Sequence, residues 1–388
     1  MRSDCGGVEK TDAIVIHHAL SIRLVGGRSK NLRRHVFCSI SEGMTKKKLL
    51  IRAITALGLI ALVLTLLLSY DLCMRPNILV KKSGKQLSIS RGTSFRELKK
   101  ILQQQGYVSN ITSFSFLAHL MRYDRNITPG AYRLAANMGN WQAIRVLKTG
   151  IQQPVKIVLH HVHTKEELAA KITQNVDIDA NEFKKLLDSP AFVSQYGFNM
   201  DNVMTMFIPN TYEVYWTITP EGLFERMHKE YQQFWNASRR SQAKHLNLTP
   251  IDISILASMV QGETNKIEEA PLIAGVYINR LRKRMPLQSC PTLLYALGDS
   301  SVRRVLHKYQ DLDSPYNTYK YKGLPPGPIS LPTVAMIDAV LNSTLSNYLY
   351  FVAKEDFSGY HYFSKSLKEH LHNARRYQKA LNQTRVYR

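Results

Sequence analysis

Cysteine is scarce in this chain of 388 residues: Cys5, Cys38, Cys73 and Cys290 are the only four, and no two stand in a C-x-x-C spacing. Neither a zinc ribbon nor a disulfide framework is indicated. Acidic residues are also few, with 29 Asp plus Glu against 52 Lys plus Arg and a net charge of +23. Such a surplus implies an anionic partner: nucleic acid, an acidic membrane surface or an acidic polymer. Apolar residues are not lacking. At 44% of the chain they allow a sizeable core and exclude global disorder. No internal repeat is present.

Long apolar runs are missing with one exception. Ala53 to Ser69 carry no charge, and Leu49, Leu50 and Ile51 extend the run past Arg52. About 20 apolar residues span a bilayer, and an arginine near one end can snorkel. Lys46, Lys47 and Lys48 flank the N-terminal side, which places that side in the cytoplasm. No small-residue cleavage site follows, so the run reads as an uncleaved single-pass anchor. Tyr70-Asp71-Leu72 before Cys73 lacks the small residues of a lipoprotein site. The body then lies outside the cytoplasm, and nucleic acid drops out as a partner.

The expected fold class is α+β, in four parts. Residues 1–43 mix His, Cys, Gly and Arg without periodicity and read as a disordered or mis-assigned N-terminal extension. Residues 44–74 form the basic flank and transmembrane anchor. Residues 75–152 form a small α/β module, and residues 153–388 a larger mixed α+β domain. In the module, short strands are expected over 78–89. Ser94 and Glu97 form a capping box, and helices follow near 95–105, 114–122 and 140–150. In the larger domain, a strand at 154–159 precedes helices capped by Thr164 and starting near Ala180, Glu221 and Thr249. A helix over 271–281, a proline-rich stretch to Pro332, a helix over 334–342, a hairpin over 348–363 and a terminal helix from about Lys365 complete the pattern.

The most informative stretch is Ser258-Met-Val-Gln-Gly-Glu-Thr264. It closes a helix in which Ile253, Leu256, Ala257 and Val260 share one face. Glu263 lies three residues beyond Val260 and seven beyond Leu256, on that same face. A carboxyl at an apolar edge loses hydration, which raises its pKa and suits a general acid near neutral pH. His160-His-Val-His163 would put His161 and His163 on one strand face, but no third ligand is near. No metal and no cofactor is implied.

Several blocks in order carry a family signature: Leu256 to Thr264, Ile273-Ala-Gly-Val-Tyr-Ile-Asn-Arg-Leu281, Met285-Pro-Leu-Gln288, Tyr316-Asn-Thr-Tyr319 and Gly323-Leu-Pro-Pro-Gly-Pro-Ile329. Phe207-Ile-Pro-Asn-Thr-Tyr-Glu213, Tyr348 to Val352 and His361 to Ser364 also fit. Together they resemble the endolytic murein transglycosylases, the YceG-like family, and the module at 75–152 resembles that family's LysM-like subdomain. The resemblance implies cleavage of peptidoglycan glycan strands between N-acetylmuramic acid and N-acetylglucosamine, leaving 1,6-anhydro ends, at the inner membrane with a periplasmic catalytic domain. It assigns the catalytic acid to Glu263. Gln261, Cys290 and Asn210 stand where the family usually has carboxylates.

One acid suffices for that chemistry when the sugar's own C6 hydroxyl replaces water as nucleophile. Gln288, Asn317, Thr318 and Tyr319 offer neutral amide and hydroxyl groups to the sugar, and Tyr212 and Tyr316 offer stacking faces. Turn building by Asn-Thr and core packing of the tyrosines are the competing readings. Two other functions stay open: a hydrolase drawing on Glu213, Asp311 or Asp313 as a second carboxylate, and a glycan-binding scaffold that recruits cell-wall synthases.

Overall fold

The structure is a computed structural model that describes residues 29–80, 84–298, 309–344 and 346–383, with side chains from Lys47 onward. Two compact units divide the chain between Met74 and Arg75. The first holds one long helix, α1 (Ser29–Cys73). It takes in residues 29–43, which show no helical pattern in sequence; residues 1–28 lie outside the described residues. Among the described residues, Lys47–Cys73 is the one helix long and apolar enough to cross a membrane, and none of it is buried within the protein.

The second unit begins with a β-α-α-β arrangement. Strand β1 (Lys85–Ile89) pairs antiparallel with β2 (Gly130–Leu134), with Leu87 opposite Tyr132. Between them lie α2 (Phe95–Gln104) and α3 (Ile111–Leu120). The Ser94–Glu97 capping box starts α2 as the sequence indicates. Asn110 caps α3, three residues earlier than the apolar pattern suggested. Only part of the 78–89 segment is a strand, since Ile78 joins Val108 by an isolated bridge instead. Helix α4 (Asn140–Thr149) follows and ends on Gly150 in the left-handed conformation.

Strand β3 (Val155–Val158) opens the larger part and leads to α5 (Lys165–Thr173), α6 (Ala180–Leu187) and the single turn α7 (Pro190–Val193). Strand β4 (Thr211–Val214) returns antiparallel to β3, with Tyr212 opposite Ile157. His161 and His163 follow the end of β3 rather than lying on it, and His161 sits at φ +48°. They therefore do not share a strand face.

Helices α8 (Pro220–Phe234) and α9 (Ala237–His245) lead into α10 (Pro250–Glu263), started by a Thr249–Asp252 capping box. Every residue of α10 from Ile253 to Val260 is buried. It is a core helix enclosed on all sides, where the sequence suggested a single apolar face. Helix α11 (Ala270–Arg282) packs on it, as do α12 (Cys290–Leu297) and α13 (Val334–Leu341). Helix α12 lies inside the stretch expected to be irregular: Pro291 occupies its first turn, where proline's fixed φ suits a helix. The hairpin of β5 (Tyr350–Ala353) and β6 (His361–Ser364) packs on α14 (Leu367–Gln383) and touches α11.

Candidate active site

Glu263 is the last residue of α10. Its Oε1 accepts two hydrogen bonds, from the Tyr277 hydroxyl at 2.7 Å and the Ser289 hydroxyl at 2.8 Å. Among the described residues no hydrogen bond reaches Oε2. Burial of the carboxyl raises its pKa above the ordinary 4.5, and this outweighs the lowering by the two donors and by the nearby His361 and Arg280. The C-terminal end of α10, where the helix dipole is negative, also disfavours an anion. The residue as a whole is half-buried, so the carboxyl is enclosed by protein yet keeps an opening to solvent.

Each donor is fixed by its own surroundings. Tyr277 sits in α11, buried, with its ring edge-on to Phe351 at 5.7 Å. Ser289 is fully buried just before α12. Its N–H donates to Thr318 Oγ1 at 2.9 Å, and the Gln288 N–H donates to the Thr318 carbonyl at 3.0 Å. Thr292 Oγ1 donates to the Ser289 carbonyl at 2.9 Å and lies 2.9 Å from Thr318 Oγ1. The Gln288 bond is thus part of a clasp between the loop before α12 and the 316–319 loop. Gly262 permits the close approach of α10 to this loop: a Cβ there would lie 2.7 Å from the Pro291 ring.

Two latches tie α10 to residues 329–333. Ser258 Oγ accepts from the Ile329 N–H at 3.1 Å. Gln261 donates to the Leu331 carbonyl at 3.2 Å and accepts from the Thr333 N–H at 2.8 Å. An amide can do both, whereas a carboxylate can only accept. Gln261 therefore uses both ends of its amide here.

A basic side appears next to the acid. Arg280 is buried and donates to the carbonyls of Leu349 and Leu287 at 2.6 and 2.8 Å, and more weakly to Gln288 Oε1 at 3.3 Å. His361 Nδ1 lies 2.9 Å from Glu269, whose other oxygen accepts the His361 backbone N–H at 3.0 Å. This pair pins the hairpin to the start of α11.

The structure sorts the residues singled out in the sequence. Gln288 is exposed at φ +52°, a sparsely populated conformation for a non-glycine residue. Tyr319 is half-buried, its hydroxyl 3.1 Å from Cys290 Sγ, and burial pushes its pKa up. Tyr316 is half-buried against Tyr295 with ring centroids 4.8 Å apart. Asn317 is fully buried; its amide donates to the carbonyls of Gln310 and Leu312, both at 2.8 Å, and its oxygen accepts from the Tyr319 N–H. Turn building accounts for all of these bonds. Thr318 belongs to the clasp. Tyr212 is a core residue whose hydroxyl bonds the Ile208 carbonyl. Glu213, Asp311 and Asp313 are exposed, and Asp313 is tied to Lys320 and Tyr321.

Tyr277, Ser289, Arg280, Glu269 and His361 carry the site's geometry but received no role from the sequence. Tyr277 read as an inward core residue because its spacing is that of a buried helix face. Ser289 offered a weak signal, a serine immediately before Cys-Pro at a helix start.

The model of the YceG-like family matches residues 87–376. The chain belongs to that family. The endolytic murein transglycosylase of Streptococcus pneumoniae serotype 2 is 30% identical over 321 residues, covering 74% of this chain and 57% of that protein. The chain thus spans little more than half the length of the streptococcal relative. The endolytic murein transglycosylase of Bacillus subtilis is 28% identical over 305 residues, covering 74% of this chain and 83% of that protein. A crystal structure of a yceG-like protein from Listeria monocytogenes has 29% identity and a TM-score of 0.51, covering 75% of this chain and 99% of that one.

Proposed function

We propose that this YceG-like chain is a peptidoglycan lytic transglycosylase with Glu263 as its single acid and base. One observation carries the reading: a desolvated carboxyl whose Oε1 is held by Tyr277 and Ser289, leaving Oε2 for the substrate. The names of the streptococcal and bacillar relatives support it.

Protonated Glu263 gives its proton from Oε2 to the oxygen joining N-acetylmuramic acid to N-acetylglucosamine. The C1–O bond breaks and positive charge develops at C1. The C6 hydroxyl of the same muramic acid closes onto C1, and its proton goes to the Glu263 carboxylate. The enzyme is regenerated, no water is consumed, and the product carries a 1,6-anhydro end. Tethering the nucleophile within the substrate supplies the effective concentration that an external water would lack. Gln288, Tyr319 and Tyr316, which keep exposed surface, are the proposed sugar contacts.

Helix α1 is proposed as the inner-membrane anchor, N-terminus cytoplasmic, with the body in the periplasm and cell-wall synthases as the partners such a location favours. The β-α-α-β order of residues 75–152 supports a LysM-like, glycan-gripping module, followed by a catalytic domain at 153–388. The test is digestion of purified sacculi with residues 75–388, followed by mass spectrometry. Fragments ending in 1,6-anhydro-muramic acid are expected; reducing-end muramic acid would mean hydrolysis, and no fragments would leave only a binding role.

A further inference from the structure

Residues 75–152 contain thirteen Lys and Arg but only two acids, Glu97 and Asp124, a net +11 within a chain of +23. Both acids are engaged locally. Glu97 closes the capping box with Ser94, and Asp124 sits 2.7 Å from His119 Nδ1. The module has no further acid of its own to offset its other cations. Three of them, Arg96, Lys99 and Lys100, line one groove on α2 with Gln103, facing Ile111, Thr112 and Ser115 of α3. None of the three closes a salt bridge among the described residues.

Beside this groove stand two large apolar side chains that the core does not use. Phe116 and Leu120 are 61% and 68% exposed. They are one helical turn apart on α3, and Phe116 lies one turn beyond Thr112, which lines the groove. Cations around protruding apolar tips form the pattern of an element that lies in a lipid headgroup layer. Chain continuity points the same way. Only Met74 and Arg75 stand between Cys73, the last residue of α1, and Pro76, which is bridged to Gly139 in the module.

We propose that the α2–α3 face of this module docks on a bilayer surface containing anionic phospholipid, Arg96, Lys99 and Lys100 meeting phosphates while Phe116 and Leu120 enter the headgroup layer. The choice of a lipid rather than a glycan partner rests on the reading of α1 as an anchor. Three cations and two apolar tips dominate this face against the single amide of Gln103, so the glycan grip proposed above falls to the module's other faces. Docking would hold the module at the membrane and restrict cutting to strands close to it.

The experiment is co-sedimentation of residues 75–388 with vesicles. Every buried hydrophobic side chain among the described residues lies at Ile78 or beyond, so this fragment keeps the whole core. Because α1 is absent and no cleavage is read, failure here is separate from failure of the anchor or of the catalytic reading. Vesicles containing one-third phosphatidylglycerol should bind about tenfold or more over pure phosphatidylcholine, and raised salt should reverse this. The triple change Arg96→Glu, Lys99→Glu, Lys100→Glu should abolish the preference, and Phe116→Ser with Leu120→Ser should weaken binding to the mixed vesicles severalfold. Lys229→Glu, outside the module, should leave it intact, with circular dichroism showing that each variant is folded. Equal binding to both vesicle types, insensitivity to the triple change, or equally strong competition by soluble polyglutamate would overturn the proposal.

Discussion

The Tyr277 hydroxyl and the Glu263 carboxyl meet at 2.7 Å across the contact between α11 and α10. This bond, repeated by Ser289 on the same oxygen, orients the carboxyl and partly offsets the desolvation that raises its pKa. It gives the proposed acid a fixed orientation.

Replacing the acid should remove catalysis and add stability. Glu263→Gln keeps the shape and both hydrogen bonds, yet should lower the cleavage rate by about 10²- to 10⁴-fold, the usual contribution of a general acid. Because the folded-state pKa is raised, the neutral carboxyl's stability contribution is complete below the ordinary 4.5 and is lost as pH rises through the folded value. Thermal melts should therefore show wild type losing stability relative to Glu263→Gln over that window. Parallel melting curves at every pH would contradict it.

Removing one donor should raise the acid's pKa further. Ser289→Ala and Tyr277→Phe each delete a bond that stabilises the carboxylate. The alkaline limb of the pH–rate profile should move upward in both, at a stability cost of about 0.5–1.5 kcal/mol for the bond. A limb that stays in place would show that these hydroxyls do not tune Glu263.

Gly262→Ala should damage activity more than folding. Its Cβ would press on the Pro291 ring at 2.7 Å and displace the start of α12, and with it Ser289. The overpacking should cost about 1–3 kcal/mol, leaving a folded protein at room temperature. Turnover and melting temperature measured side by side check this; an unchanged rate would mean that the loop absorbs the methyl group.

Cys290→Asp should supply a carboxylate acceptor for the Tyr319 hydroxyl, now 3.1 Å from the sulfur. The added negative charge near Glu263 should again push its pKa up, so the pH–rate profile shifts to higher pH. A downward shift would place the new carboxylate outside the electrostatic reach of the acid.

The place of Glu263 at the desolvated end of an apolar helix was legible in the sequence, because the helix start and the apolar run are both local. The capping boxes at Ser94 and Thr249 were legible for the same reason. Tyr277, Ser289 and His361 were not, since their roles depend on which helices and hairpins meet, and spacing along the chain does not encode that. Asn317 shows the opposite case. Its residue type suits a sugar, but its position at a tight turn commits every polar atom to the backbone. Helix α12 was hidden by the proline at its first turn, a residue that breaks helices elsewhere.

The most direct test of the central claim is a carboxyl-carbon NMR titration of residues 75–388 labelled at glutamate, with the Glu263 signal identified by its loss in Glu263→Gln. The account predicts a midpoint above 4.5. A midpoint at or below that value would contradict it, because Glu263 would then enter the reaction already ionised, without a proton to give.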